Sequence, residues 1–182
     1  MSFNITPPPS EMEKRDEVLA KAYSNLIYFG RAFLPNDFLK KSESAPFHYE
    51  MGKKMIDTAP GARICNIIPR GHGKSVVAKA AIMHKLCFAA DDQQHFIAWV
   101  SEEQSQAIDH LKYIRSHFEN NKMIRYYFGN MDGGSVGKRW TEKDLVTPKG
   151  DRVISKGTSQ RLRGRAEVDV RYTGIVLDDF ES

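Results

Sequence analysis

Apolar residues recur at helical spacing through the first part of the chain, and Val18, Leu19, Ala22, Leu26, Ile27 and Phe33 predict one long helix. Ser10 is placed to cap it, and Glu11 and Glu13 fall in its first turn, where the positive end of the helix dipole favours carboxylates. Leu34-Pro35-Asn36-Asp37 ends that helix, and after a turn-rich stretch from Ser42 to Pro46 the pattern predicts another from His48 to Ile56. At Arg63 the period changes. Arg63 to Ile68 reads as a short buried strand, Pro69 to Gly73 as a glycine-rich turn, and Lys74 to Phe88 as an alanine-rich helix. His95 to Val100 reads as a second strand. Glu102 to Asn120 follows as a helix with Ala107, Ile108, Leu111, Ile114 and Phe118 on one stripe.

Between Lys143 and Lys156 the chain predicts a hairpin, because Leu145-Val146 and Val153-Ile154 flank the turn sequence Pro148-Lys149-Gly150-Asp151. A basic loop then leads to a last strand, Thr173 to Leu177. Strands alternating with helices imply an α/β fold, a parallel sheet flanked by helices with the hairpin inserted. The expected organisation is a stiff arm over residues 1–9 ending in Pro7-Pro8-Pro9, a helical lead-in over 10–60 and a core over 61–182.

Composition narrows the class. With 41% hydrophobic and 27% charged residues, the chain reads as an ordinary globular protein rather than a disordered one. No apolar run approaches the roughly 20 residues needed to cross a bilayer, so no membrane partner is expected, and the acidic, polar first residues do not resemble a secretory signal. Cys65 and Cys87 make neither a disulfide framework nor a zinc site, which favours a reducing, cytoplasmic setting. The net charge of +4 says less than its distribution. Lys138, Lys143, Lys149, Arg152, Lys156, Arg161, Arg163, Arg165 and Arg171 outnumber the acids among them, a segment suited to phosphates of a nucleotide or a nucleic acid.

The segment with the clearest chemistry is Pro69-Arg70-Gly71-His72-Gly73-Lys74-Ser75-Val76. Gly-Lys-Ser closing a strand-to-helix turn is the core of a P-loop. Successive backbone N–H groups there face phosphate oxygens, and glycine permits both the backbone angles and the close approach. Lys74 would reach the β- and γ-phosphates, and Ser75 would place its hydroxyl on Mg²⁺. The helix behind adds its positive end. Ile68 stands where the standard pattern has its first glycine. A second element is an apolar strand ending in acid, and Gly174-Ile175-Val176-Leu177-Asp178-Asp179 supplies it. Asp178 is the metal-side carboxylate; Asp179 would orient or deprotonate the attacking water, with Glu181 the alternative.

Taken together these pieces resemble the large terminase family of tailed phages, from about Phe29 to the end of the chain. The resemblance rests on Phe33-Leu34-Pro35, Pro46-Phe47-His48, the loop 69–75, Val100-Ser101 with Gln106-Ala107, and Lys138-Arg139-Trp140. It continues through Gly157, Leu162-Arg163-Gly164, Arg171 and Ile175 to Asp179. Terminases typically lack the first P-loop glycine and carry an arginine inside the loop, so Ile68 and Arg70 fit that family better than the standard pattern.

The resemblance implies a RecA-like P-loop NTPase of the ASCE class that takes ATP and Mg²⁺ and acts as a homo-oligomeric ring. The ring would drive double-stranded DNA into a procapsid in the host cytoplasm, with the portal protein and the small terminase subunit as partners. It assigns Arg70 to the γ-phosphate, makes Arg163 or Arg165 the candidate to act across a subunit boundary, and puts Phe47 and His48 where relatives bind adenine. It also implies that further strands and a nuclease domain follow the acidic strand in such proteins. The sheet is therefore expected to be incomplete in this chain, and no nuclease activity is expected from it. Other readings stay open: surface charge or DNA contact for the arginines, core packing for Trp140, helix capping or phosphate contact for Ser101, and stacking by Phe47 or Tyr49. For the whole chain the alternatives are a nucleotide-binding assembly or nucleic-acid-binding module with little turnover, or a helicase-type ATPase.

Overall fold

The computed structural model describes residues 9–38, 43–58, 62–160 and 171–178, with backbone alone for 9–13. The expected arm lies outside them except for Pro9, which opens α1 (Pro9–Ser24). Where the apolar period predicts one long helix there are two, α1 and α2 (Leu26–Phe33). Asn25 separates them. Its backbone is extended (φ −141°, ψ 105°), and its side-chain oxygen accepts from the Tyr28 N–H at 3.0 Å. That side-chain bond caps the new helix, so the chain starts α2 afresh after the extended residue. The break at Leu34 occurs as expected, but Pro35 opens a short further helix, α3 (Pro35–Phe38), where its fixed φ and missing N–H cost nothing.

Two more helices complete this layer, α4 (Pro46–Ile56) and α5 (Lys74–Cys87). α2 sits at its centre, packed on α1, α3, α4 and α5, and its Leu26, Ile27, Phe29 and Phe33 are buried. Met83 and His84 of α5 come up against that cluster. The His84 Nε2 lies 3.0 Å from both the Ala22 and Tyr23 carbonyls, tying the end of α1 to α5.

The sheet has four strands among the described residues, in the order β2-β3-β1-β4. β1 (Phe96–Ser101) runs parallel to β3 (Arg152–Gly157) and to β4 (Gly174–Leu177), with Ala98 opposite Ile154 and Ile175. β2 (Asp144–Val146) closes the expected hairpin antiparallel to β3. The molecule is thus α/β with a mixed, mostly parallel sheet flanked by helices. Alternation along β1 sends Ile97 and Trp99 to the face covered by α6 (Gln104–Asn120), whose Ala107, Leu111, Ile114 and Phe118 are buried. Ala98 and Val100 face the other way, with Ile154, Phe96 and Tyr172. A further helix, α7 (Lys122–Phe128), was not legible in the pattern. Asn121 makes it by accepting from the Met123 and Ile124 amides while donating to the Phe33 carbonyl at 2.7 Å.

One expectation fails. Arg63 to Ile68 is not a buried strand: it has no sheet partner among the described residues, and Ile67 is 93% exposed. An apolar run becomes a strand only where a neighbour supplies the ladder bonds. Among the described residues β4 pairs with β1 alone, and its Ile175 and Leu177 are about half exposed. Cys65, in the same segment, is exposed, whereas Cys87 is buried. Among the described residues no helix is long and apolar enough to cross a membrane.

Candidate functional site

The glycines of the turn before α5 do what their type allows. Gly71 (φ 81°) and Gly73 (φ 74°) both adopt left-handed backbone, and Gly73 is the residue from which α5 starts. A β-carbon is disfavoured at both. Three polar contacts then hold the turn. Lys74 Nζ donates to the Ile68 carbonyl at 2.8 Å, and His72 Nδ1 lies 3.0 Å from the Arg70 carbonyl, which it can only meet as a donor. His48 provides the third. Its Nδ1 accepts the Ala45 N–H at 3.0 Å, which leaves the proton on Nε2, and Nε2 donates to the His72 carbonyl at 2.8 Å. α4 is thereby latched to the loop.

Beside the turn lies a cleft of about 770 Å³, lined by residues 70–77, by Phe47 and His48, and on the far side by Glu102 and Gln106. Asp178 follows β4 directly, its N–H donating to the Val100 carbonyl at 2.9 Å, so its carboxylate leaves the sheet at the carboxyl end of the strands. There Ser75 and Lys74 come near enough to the carboxylate to favour its charged form. Burial alone would push the Asp178 carboxyl up. Hydrogen bonds from His110 and Ser75, with the charges of His110 and Lys74, outweigh it and hold the group below the usual carboxylate value. An ionised, mostly buried carboxylate next to a hydroxyl is a suitable donor pair for a hard cation that brings phosphate and water ligands of its own. Among the described residues no group of three or more His, Cys, Asp or Glu side chains forms a cage of a different kind.

The structure therefore brings Asp178 near Lys74 and Ser75, which line the cleft with Arg70, Gly71, His72 and Gly73, while Asp178 itself is not among the lining residues. Pro69 and Arg70 are exposed. The Val76 side chain packs on the main core, which leaves only its backbone for a ligand. Phe47 is half-buried, its ring 4.1 Å from that of His48, and presents a face to the cleft. His48 has both nitrogens engaged by backbone, so no ring nitrogen is left for a base. Tyr49 is exposed and does not line the cleft. Asp179, Glu181, Arg163 and Arg165 lie outside the described residues.

Two readings of single residues are refined. Ser101 does not cap α6, which starts after Glu103; its hydroxyl is buried without a partner among the described residues. Trp140 is an anchor: its Nε1 donates to Glu119 at 2.8 Å and its ring stacks on Phe118. The basic stretch is also partly committed inside the protein. Arg152 grips Asp144 through two bonds of 2.8 and 2.7 Å, Arg139 adds a third at 2.9 Å, and Lys149 pairs with Asp91 at 2.9 Å.

Sequence reasoning passed over His110, whose Nε2 is 3.3 Å from Asp178 Oδ2. It sits one position before Leu111, just off the apolar stripe of α6, and a lone histidine there gives no signal without the strand end it meets. Set against protein-family models, curated proteins and solved structures, the chain matches none.

Proposed function

We propose that the chain binds a nucleoside triphosphate with magnesium in the cleft at the start of α5 and serves as the ATP-hydrolysing part of a DNA-packaging motor of the large-terminase kind. The observation that carries this reading is that Asp178, about a hundred residues further along the chain, lies near enough to Lys74 and Ser75 for both to favour its ionised form. In this reading the amides after Gly71 and at the start of α5 receive phosphate oxygens. Lys74 exchanges the Ile68 carbonyl for the β- and γ-phosphates. Ser75 and Asp178 hold the magnesium, which when bound neutralises charge on the phosphoryl group being transferred. Arg70, which is exposed and lines the cleft, would spread further charge at the γ-phosphate. The position also suits a ligand site in an open α/β sheet, outside the carboxyl ends of the parallel strands.

A RecA-like P-loop core of the ASCE class is the finer fold reading that accompanies this function. The ring, double-stranded DNA, the portal protein and the small terminase subunit belong to the proposal through the family resemblance alone. Lys74→Ala tests it: nucleotide binding and hydrolysis in the assembled motor should be lost while the melting temperature is kept. Normal turnover in that variant would sink the assignment.

A second reading, a nucleotide-binding assembly module with little turnover, is favoured by one observation: among the described residues, the segment leading into the loop has no partner in the sheet. Asp178→Ala with Asp179→Ala separates the two. Hydrolysis that survives both changes would favour the second.

A further inference from the structure

A polar side chain that touches a metal-side carboxylate, without itself being placed to touch the metal, can set which oxygen the metal finds. His110 is in that position. α6 carries it across β1, where its ring stacks on Trp99 with centroids 4.4 Å apart and planes 29° from parallel. Trp99 is fully buried, so the imidazole rests on a residue of the core. From there Nε2 reaches Asp178 Oδ2 at 3.3 Å, with both side chains largely shielded from water. The Asp178 backbone is independently fixed through its bond to Val100. The carboxylate is thus fixed at its root by the strand and has an imidazole nitrogen beside one of its oxygens.

Building on the nucleotide reading, we infer that His110 is a positioning residue for magnesium: stacked on Trp99, it donates from Nε2 to Asp178 Oδ2 and thereby presents Oδ1 to a cation shared with Ser75. The stack aims the ring and the N–H aims the carboxylate. Neither role can be filled by Ser75, which has to turn its own hydroxyl oxygen to the cation. A purely packing role for His110 makes a different demand, since it needs the flat ring and has no use for the N–H.

Two substitutions separate those demands. His110→Phe keeps a ring on Trp99 and loses the donor; His110→Gln loses the ring and keeps an N–H donor. Each full-length variant is titrated with magnesium while binding of a fluorescent ATP analogue is followed, and a melting curve is recorded alongside. The inference expects His110→Phe to need about 10- to 100-fold more magnesium for half-maximal enhancement, and His110→Gln to stay within about 3-fold of the parent. The inference fails if His110→Phe matches the parent, or if His110→Gln is the worse of the two. If the parent chain binds the analogue in neither the presence nor the absence of magnesium, the nucleotide reading itself is overturned and this inference with it. Analogue binding that magnesium enhances in the parent but that neither variant alters overturns the His110 role alone.

Discussion

His48 commits both ring nitrogens to backbone, one to Ala45 and one to His72, and so converts a helix start into a brace for the glycine turn. Removing it leaves the His72 carbonyl without that donor. Since one hydrogen bond is worth about 1 kcal/mol net, His48→Ala should weaken binding of a fluorescent ATP analogue by about 5-fold. An unchanged affinity would mean the loop keeps its shape without α4. Gly73→Ala acts on the same loop through backbone strain, because its φ of 74° costs an L-residue about 1–2 kcal/mol. Asp151 shows the other side of residue-scale reasoning. The turn chemistry of Pro148 to Asp151 is legible in sequence, yet nothing there says that Asp151 is buried. Its carboxylate accepts the His95 N–H at 2.8 Å and the Thr147 hydroxyl at 3.2 Å, and it joins the hairpin to the start of β1. Asp151→Ala strands a buried amide and should cost about 2 kcal/mol in urea unfolding. A loss within measurement error would mean that water replaces the carboxylate.

At the scale of elements, the two asparagines that cap helices escaped the pattern for one reason. Hydrophobic periodicity registers which positions face a core, and the apolar positions continue through Asn25 as if the helix did. The side-chain cap that interrupts it is a local hydrogen bond of a residue type that is common everywhere. Asn25→Ala should lower stability by about 1 kcal/mol, the usual value of a cap. Asn121→Ala should cost more, because Asn121 also satisfies the Phe33 carbonyl and so ties α7 to α2. Chemical denaturation of the two variants side by side checks the order; equal losses would deny Asn121 its second role. The Arg63 to Ile68 segment is the opposite case, where apolar residues suggest an element that pairing does not provide.

Histidines shielded from water give the whole molecule a pH dependence: His84 on α5, His95 just before β1 and His117 on α6. Burial holds His84, His95 and His117 below the ordinary histidine value of 6.5. Unfolded, each takes up a proton near that value; folded, each resists until the pH is lower. The unfolded chain therefore binds more protons in that interval, so stability is full above about pH 6.5 and falls as the pH drops below it. His84→Gln keeps a donor for the Ala22 and Tyr23 carbonyls without titrating there. Urea midpoints followed from about pH 8 to 5 should decline less steeply in that variant. An identical slope would remove His84 from the account.

The α/β class, the hairpin, the start of α5 and the left-handed glycines of the turn before it were determined by local order along the chain: period, turn residues and a glycine-rich approach act between near neighbours. That Ser75 and His110 come up to Asp178, that Arg152 and Lys149 are paired with Asp144 and Asp91 and that residues 63–68 lie outside the sheet formed by the described residues were decided only by tertiary structure. Each of these depends on which distant segment comes alongside. A hydrogen bond or an ion pair carries no trace of its partner until packing of the apolar faces has put the two within about 3 Å of each other.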